Sequence, residues 1–333
     1  MNLTKTLSML LLSSMALAFS ASSAVAQEKH VLKIASLAPK GSSWYKSFSK
    51  TKREIKKATK GAVILKIYAG GVMGDEGAMV RKMRTGQLAG AALTSVGMGE
   101  VASEFYMYEL PMTFKSYKEV NYVREKMQPK FEAILDKKGF VLLHWGDVGF
   151  NYIFSNTPVT KPSDISKTKM WVWDADPVSK AVMKGAGANA VPLGVPDVLP
   201  SLSTGVIDAF SNSPYGAVAL QWHTKAKYVT NLKVAFTIGG LILSKKSWDK
   251  IPAEHQKTIM EISKKNGAKL LTKIQRDNKK AIKKIIEGGV ESVKPSNIGQ
   301  WKTMSKKVEK LMVGKHFSAE LLAEMKKHLK AIR

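Results

Sequence analysis

The stretch KMWVWDADPV (169–178) sets two indoles beside two carboxylates. Trp171 and Trp173 are two apart on a segment that reads as a strand, so they share a face and give either a packed core layer or the wall of a cavity. Strands of a parallel sheet are buried on both faces, which keeps the core reading open. Asp174 and Asp176 could in principle share acid–base work or meet a cation; capping and solvating the helix that follows is the plainer role. Catalysis would need a nucleophile or a metal, and the sequence provides neither in a usable pattern. The six histidines (30, 144, 223, 255, 316, 328) are scattered, no HExxH occurs and there is no cysteine. TSVGMG lacks the leading glycine of a nucleophile elbow, and GGVMGDEG does not keep the spacing of a dinucleotide loop. Binding is expected, with no catalytic residue, metal or cofactor.

The elements that must position these residues alternate. VLKIAS (31–36), AVILKIYA (62–69) and AGAALTS (89–95) read as strands, separated by helices that Ser42 and Asp75 can cap. That order predicts a sheet with helices on its faces. Ser116 to Glu119 reads as a capping box. GFVLLHWGDVGFNYIFS (139–155) is long enough to cross between two lobes. A second α/β unit follows, with KMWVW and VIDAFSN as strands, and FTIGGLILS (236–244) reads as a further strand. A helical pattern from Pro252 to about Glu287 is longer than a small domain needs, and Gly267 is a candidate kink. Two units, two crossings and one long helix predict lobes that exchange segments around a cleft.

The N-terminus carries Lys5, an apolar run and Ala24-Val25-Ala26, the layout of a cleaved signal peptide over 1–26. An exported chain without cysteine relies on its packed core and carries no lipidated cysteine, which suits the periplasm. No apolar run long enough to span a membrane follows. With 53 Lys and Arg against 26 Asp and Glu, the formal charge is +27. The lysines are spaced along helices as a solvated face without a nucleic-acid signature, so no nucleic-acid partner is expected.

Several motifs, in order, resemble the DctP-like substrate-binding proteins of tripartite ATP-independent periplasmic (TRAP) transporters: KIASLAPKGSSW, GGVMGDEGAMVRKMRTGQL, ELPMTF, TKPSDISKTKMWV and PLGVPDVLPSLSTGVIDAFSNSP. The resemblance covers about residues 31 to 310. It implies an α/β two-lobed periplasmic binding protein fold, mixed sheets flanked by helices, with a long helix spanning both lobes. The division expected is 27–150 plus 238–282 for one lobe and 151–237 plus 283–333 for the other. It also implies capture of a small organic ligand by hinge closure, delivery to membrane permease subunits, and no chemistry.

The departures bear on the ligand. Where the resemblance implies a carboxylate-binding arginine on the strand after the "Dl-Gl" pattern, this sequence has Trp171. Asn151 follows the "GF" of the crossing strand where a second arginine is frequent, and Ala89 and Ser211 replace frequent acids. An arginine fork gives a carboxylate two charge-assisted bonds that an indole cannot replace. The expected ligand is therefore more apolar or aromatic than a C4-dicarboxylate, or presents a neutral polar or cationic group. Expected walls are Trp171, Trp173 and Trp44, with one N–H donor each. Asn151, Ser95 and Asn212 are expected as neutral hydrogen-bonding groups, and Glu76, Tyr215 and Met73 as further candidates. Glu76 alternatively supports a helix N-terminus. A competing reading is an envelope ligand sensor or interaction module of the same fold, associated with a tetratricopeptide-repeat partner; a hydrolase is the third.

Overall fold

The computed structural model describes residues 29–333, so the expected signal peptide lies outside the described residues. The chain opens with β1 (His30–Ser36), α1 (Ser43–Ala58), β2 (Val63–Tyr68), α2 (Glu76–Arg84), β3 (Gly90–Thr94) and α3 (Ser95–Val101). A 3-10 segment, Ser103–Glu109, leads to α4 (Tyr117–Lys137) and β4 (Phe140–Trp145). Next come β5 (Gly149–Ser155), β6 (Met170–Trp173), α5 (Pro177–Ala186), β7 (Ala190–Leu193), α6 (Val195–Thr204), β8 (Ala209–Asn212), α7 (Pro214–Ala219), β9 (Tyr228–Thr230) and β10 (Ala235–Thr237). The chain then runs through β11 (Gly239–Ser244), α8 (Lys245–Trp248), α9 (Ala253–Glu287), β12 (Glu291–Val293), α10 (Ile298–Met312) and α11 (Ala319–Ile332).

The strands form two mixed sheets. The first has the order β2-β1-β3-β11-β4, with β1, β2 and β3 parallel and β11 antiparallel to both neighbours. The second runs β12-β9-β5-β8-β6-β7, with β10 also on β5. β6 is parallel to β7 and β8, while β5 is antiparallel to β8. Each sheet and its helices make a lobe.

The caps follow from side-chain chemistry. Ser42 Oγ accepts from Tyr45 N at 3.2 Å, Asp75 Oδ1 from Glu76 N at 2.9 Å and Ser116 Oγ from Glu119 N at 3.2 Å. Glu119 reaches back to Lys115 N at 2.7 Å, one residue earlier than a capping box would have it.

Both long apolar stretches expected as single strands are broken at the lobe boundary. Residues 139–155 become β4 in the first sheet and β5 in the second; residues 236–244 divide likewise into β10 and β11. A chain must change direction to leave one twisted sheet and join another, and the glycines at 146, 149 and 239 permit it. The 35-residue α9 packs on α1 and β4 in the first lobe and on α7 and β5 in the second. Gly267 does not interrupt it. A Cβ there would lie 2.5 Å from His144 Cβ, so this glycine lets the helix press on β4. At the C-terminus, α10 packs on α5 and α11 on α4. No described helix is long and apolar enough to cross a membrane.

Candidate functional site

The two crossing segments run side by side. Gly146 N donates to Gly239 O at 2.7 Å and Val148 N to Thr237 O at 3.1 Å. A Cβ on Gly239 would sit 2.5 Å from Gly146 O, so the backbones meet without room for a side chain. Asn278 of α9 bolts this point: its Nδ2 donates to Val148 O at 2.9 Å and its Oδ1 accepts from Tyr215 N at 2.9 Å. Gly149, at φ +122°, lies under that amide.

A cavity of about 230 Å³ opens between the sheets. Its wall includes the C-terminal ends of β1, β3 and β6, where strands of an α/β sheet commonly present ligand sites. Trp44, Trp171 and Trp173 line it, and the lining is largely apolar. Among the described residues, neither arginine nor lysine lines it. Arg124 is buried instead in an ion pair with Asp147, Nη2 to Oδ2 at 2.5 Å, away from the cavity wall.

The tryptophans answer the opening choice with both readings at once. Trp171 and Trp173 are only 8% and 9% exposed, share a face with ring centroids 6.3 Å apart, and form the boundary between core and cavity. Trp222 stands edge-on behind Trp171 at 5.1 Å, with Phe210 beyond it. Their expected role as donors is corrected. Trp171 Nε1 donates to Leu193 O at 3.1 Å, Trp173 Nε1 to Asp75 Oδ2 at 2.6 Å and Trp44 Nε1 to Asp147 O at 2.9 Å. An indole N–H this deeply buried needs a protein partner, so the rings offer surface and no free donor.

The two aspartates after the tryptophans part company. Asp174 is exposed and pairs with Lys180, while Asp176 caps α5 by accepting from Val178 N at 2.8 Å and lines the cavity. Asp176 is joined there by Glu76 and Glu109. Glu76 accepts from Thr94 N at 2.9 Å, Thr94 Oγ1 at 2.8 Å and Gly97 N at 2.8 Å, so it holds the N-terminus of α3. Burial nevertheless pushes its carboxyl up to about 8. Burial, then the negative charge of Asp176, pushes Glu109 up to about 8 against the pull of the Ser95 and Thr237 hydroxyls. Burial also raises Asp176.

Of the expected site residues, Trp44, Glu76, Asn151, Trp171, Trp173 and Asn212 meet at this cavity. Asn151 Nδ2 donates to Thr237 Oγ1 at 2.8 Å, and Asn212 Oδ1 accepts from Ser213 N at 2.7 Å. Ser95, Tyr215 and Met73 are placed off its wall. Ser95 is fully buried, Tyr215 packs on Trp44 at 4.8 Å with its hydroxyl accepting from Ser43 N, and Met73 packs half-buried against the core. Glu109 and Thr237 escaped the sequence reading. Glu109 did leave a signal, as the lone acid in FYMYELPM (105–112); Thr237 left none.

Comparison with known proteins places this geometry. The family described as DctP, bacterial extracellular solute-binding protein family 7, matches residues 34–316. A solute-binding protein of Chromohalobacter salexigens is 26% identical over 242 residues, covering 72% of this chain and 71% of the relative. The C4-dicarboxylate-binding periplasmic protein DctP of Rhodobacter capsulatus is 27% identical over 218 residues, 65% of this chain and 64% of the relative. Among solved structures, a TRAP periplasmic solute-binding protein from Citrobacter koseri with bound D-glucuronate superposes with a TM-score of 0.80 at 26% identity, covering 91% of this chain and 98% of that one. One from Desulfovibrio salexigens with bound orotic acid gives 0.84 at 17% identity, covering 92% and 100%. The chain therefore belongs to the family 7 bacterial extracellular solute-binding proteins, the periplasmic binding component of TRAP transporters, a family that binds and does not catalyse.

Proposed function

We propose that this protein captures a small organic ligand between its lobes by hinge closure and, closed, presents it to the permease subunits of a TRAP transporter, after export through a cleaved signal peptide. Its ligand is more apolar or aromatic than a C4-dicarboxylate. The observation that carries this is a cavity walled by five tryptophans, Trp44, Trp171, Trp173, Trp222 and Trp301, with no arginine or lysine on the wall among the described residues.

The relatives named for their ligands bind acids: a C4-dicarboxylate, D-glucuronate and orotic acid. An acid in this cavity would meet three buried carboxyl groups and no guanidinium, and an unpaired buried charge costs several kcal/mol. Flat indole faces favour shape and stacking instead. Reversing a 1:99 open–closed balance takes about 5.5 kcal/mol of differential affinity. A micromolar ligand provides about 8 kcal/mol in all, so most of its contacts need to exist only in the closed form.

The test is mass spectrometry of whatever co-purifies under native conditions, followed by a thermal-shift screen of diacids beside aromatic and apolar compounds. Aromatic or apolar compounds should raise the melting temperature, with loss of the effect in Trp171→Ala. Stabilisation by succinate that persists in Trp171→Ala would refute the pocket reading.

A further inference from the structure

One side of the cavity is built from hydrogen-bond acceptors whose partners are missing. Thr237 has a single hydroxyl proton, and it donates that proton to Glu109 Oε1 at 2.9 Å. With Glu109 ionised, Thr237 accepts from Asn151 Nδ2 at 2.8 Å, which leaves the amide carbonyl at the free end. The result is directional: Asn151 Oδ1 and Glu109 Oε2 are both buried without a partner. The Ser95 hydroxyl, on a fully buried residue, lies beside that carboxyl and pulls it down without closing a hydrogen bond of normal geometry. Asp176 lines the same cavity, as does Glu76, whose own oxygens are satisfied. A buried polar atom left bare is costly, and these bare atoms ask for donors.

We propose that the cleft selects a ligand bearing a cationic nitrogen, an organic ammonium or amidinium on an apolar or aromatic body, whose N–H groups are taken by Glu109 Oε2, Asn151 Oδ1 and Asp176. This deepens the ligand-capture reading above and rests on it. An anion would add a like charge. A neutral alcohol supplies one proton and compensates no charge. A cation satisfies several acceptors and lets both carboxyls ionise, while the tryptophan faces take its body.

Binding should therefore depend on pH. Without ligand, burial and mutual repulsion keep a proton on the Glu109–Asp176 pair near neutrality. A cation displaces it, so affinity rises as pH rises toward 8. Glu76, Tyr106 and Lys180 also bear on the pair, and none of them faces it with a positive charge from the cavity wall.

The experiment uses the mature chain freed of ligand, with isothermal titration of phenethylamine, 2-phenylethanol and 3-phenylpropionate, which share one aromatic body. The amine should bind about tenfold more tightly than the alcohol, as a charge-assisted bond implies, and the acid most weakly. Amine affinity should rise severalfold from pH 6.0 to 8.5. Glu109→Gln should remove the amine's advantage and leave the alcohol within about twofold, since only the charge is lost. Asp176→Asn, which keeps the helix cap, should reduce the advantage too and covers the case of a Glu109 variant that does not fold. Acid binding equal to amine binding, absence of amine binding, or unchanged amine affinity in both variants overturns the proposal. If the alcohol then binds and Trp171→Ala weakens it, the tryptophan-walled pocket stands and only the cation is lost. Succinate binding that ignores Trp171→Ala removes both.

Discussion

Trp173 Nε1 donates to Asp75 Oδ2 at 2.6 Å, a hydrogen bond from the second lobe to the first. The same carboxylate accepts from Glu76 N at 2.9 Å within its own lobe and from Val195 N at 3.3 Å across the gap. Asp75 thus caps α2 and ties two points of the opposite lobe to that cap. In the hinge-closure mechanism proposed above these ties would be lost on opening, so their energy would favour the closed form.

Asp75→Ala is expected to shift the ligand-free protein toward an open form and to weaken ligand binding by about tenfold, the factor that a loss of about 1.4 kcal/mol from the closed state gives. Small-angle scattering should show a larger radius of gyration, and tryptophan emission should move to longer wavelength. Asp75→Asn keeps a cap and one acceptor and should fall between. An unchanged scattering profile in Asp75→Ala would show that the bond does not govern closure.

Glu76 and Glu109 are both held up to about 8, against an ordinary value of 4.5. The folded state keeps protons that the unfolded chain has released, so this contribution to stability is full below about pH 4.5 and is lost as pH rises through about 8. The melting temperature of ligand-free protein should fall between pH 6 and 9, and Glu109→Gln should flatten that fall. Calorimetry across the range decides it; a variant with the wild-type slope would assign the proton elsewhere.

Trp171→Ala should cost about 3–5 kcal/mol of stability in addition to its effect on binding, because the ring fills space against Trp222 and Trp173. Trp171→Phe retains a ring but leaves the carbonyl of Leu193 with only the longer bond from Asp174 N at 3.4 Å, at about 0.5–1.5 kcal/mol. Urea denaturation measures both. Losses below 1 kcal/mol in the alanine variant would mean that the wall is not packed as described.

Gly149→Ala should destabilise by about 1–3 kcal/mol, since the residue sits at φ +122° and a Cβ there would meet Asn278 Nδ2 at 2.5 Å. Displacing that amide frees Val148 O and Tyr215 N, so the interlobe segment should also loosen. Hydrogen exchange at residues 146–149 and 237–239 should accelerate in this variant more than in the sheet centres. Uniform acceleration would point to global destabilisation alone.

Much of the fold was legible because its causes are local. Ser42, Asp75 and Ser116 cap helices where a short oxygen side chain precedes a periodic run, and α9 begins after Pro252 and ends at Gly288 as the helical pattern requires. The sheet exchange was only half legible. Residues 139–155 advertised a crossing, but their division into β4 and β5, and the insertion of β11 between β3 and β4, depend on pairings between segments far apart in the chain.

The sequence by itself determined the alternating elements, the long helix, the placement of Trp171 and Trp173 on one face and the absence of a catalytic constellation, since these follow from residue type and short-range spacing. Only the tertiary structure decided what the polar groups do. The partner of Trp173 Nε1 lies 98 residues away and the hydroxyl that serves Glu109 lies 128 away. Desolvation is set by everything that packs around a group, whatever its position in the chain. Spacing alone could not show that the indoles had spent their N–H groups or that Glu109 was buried with an oxygen to spare.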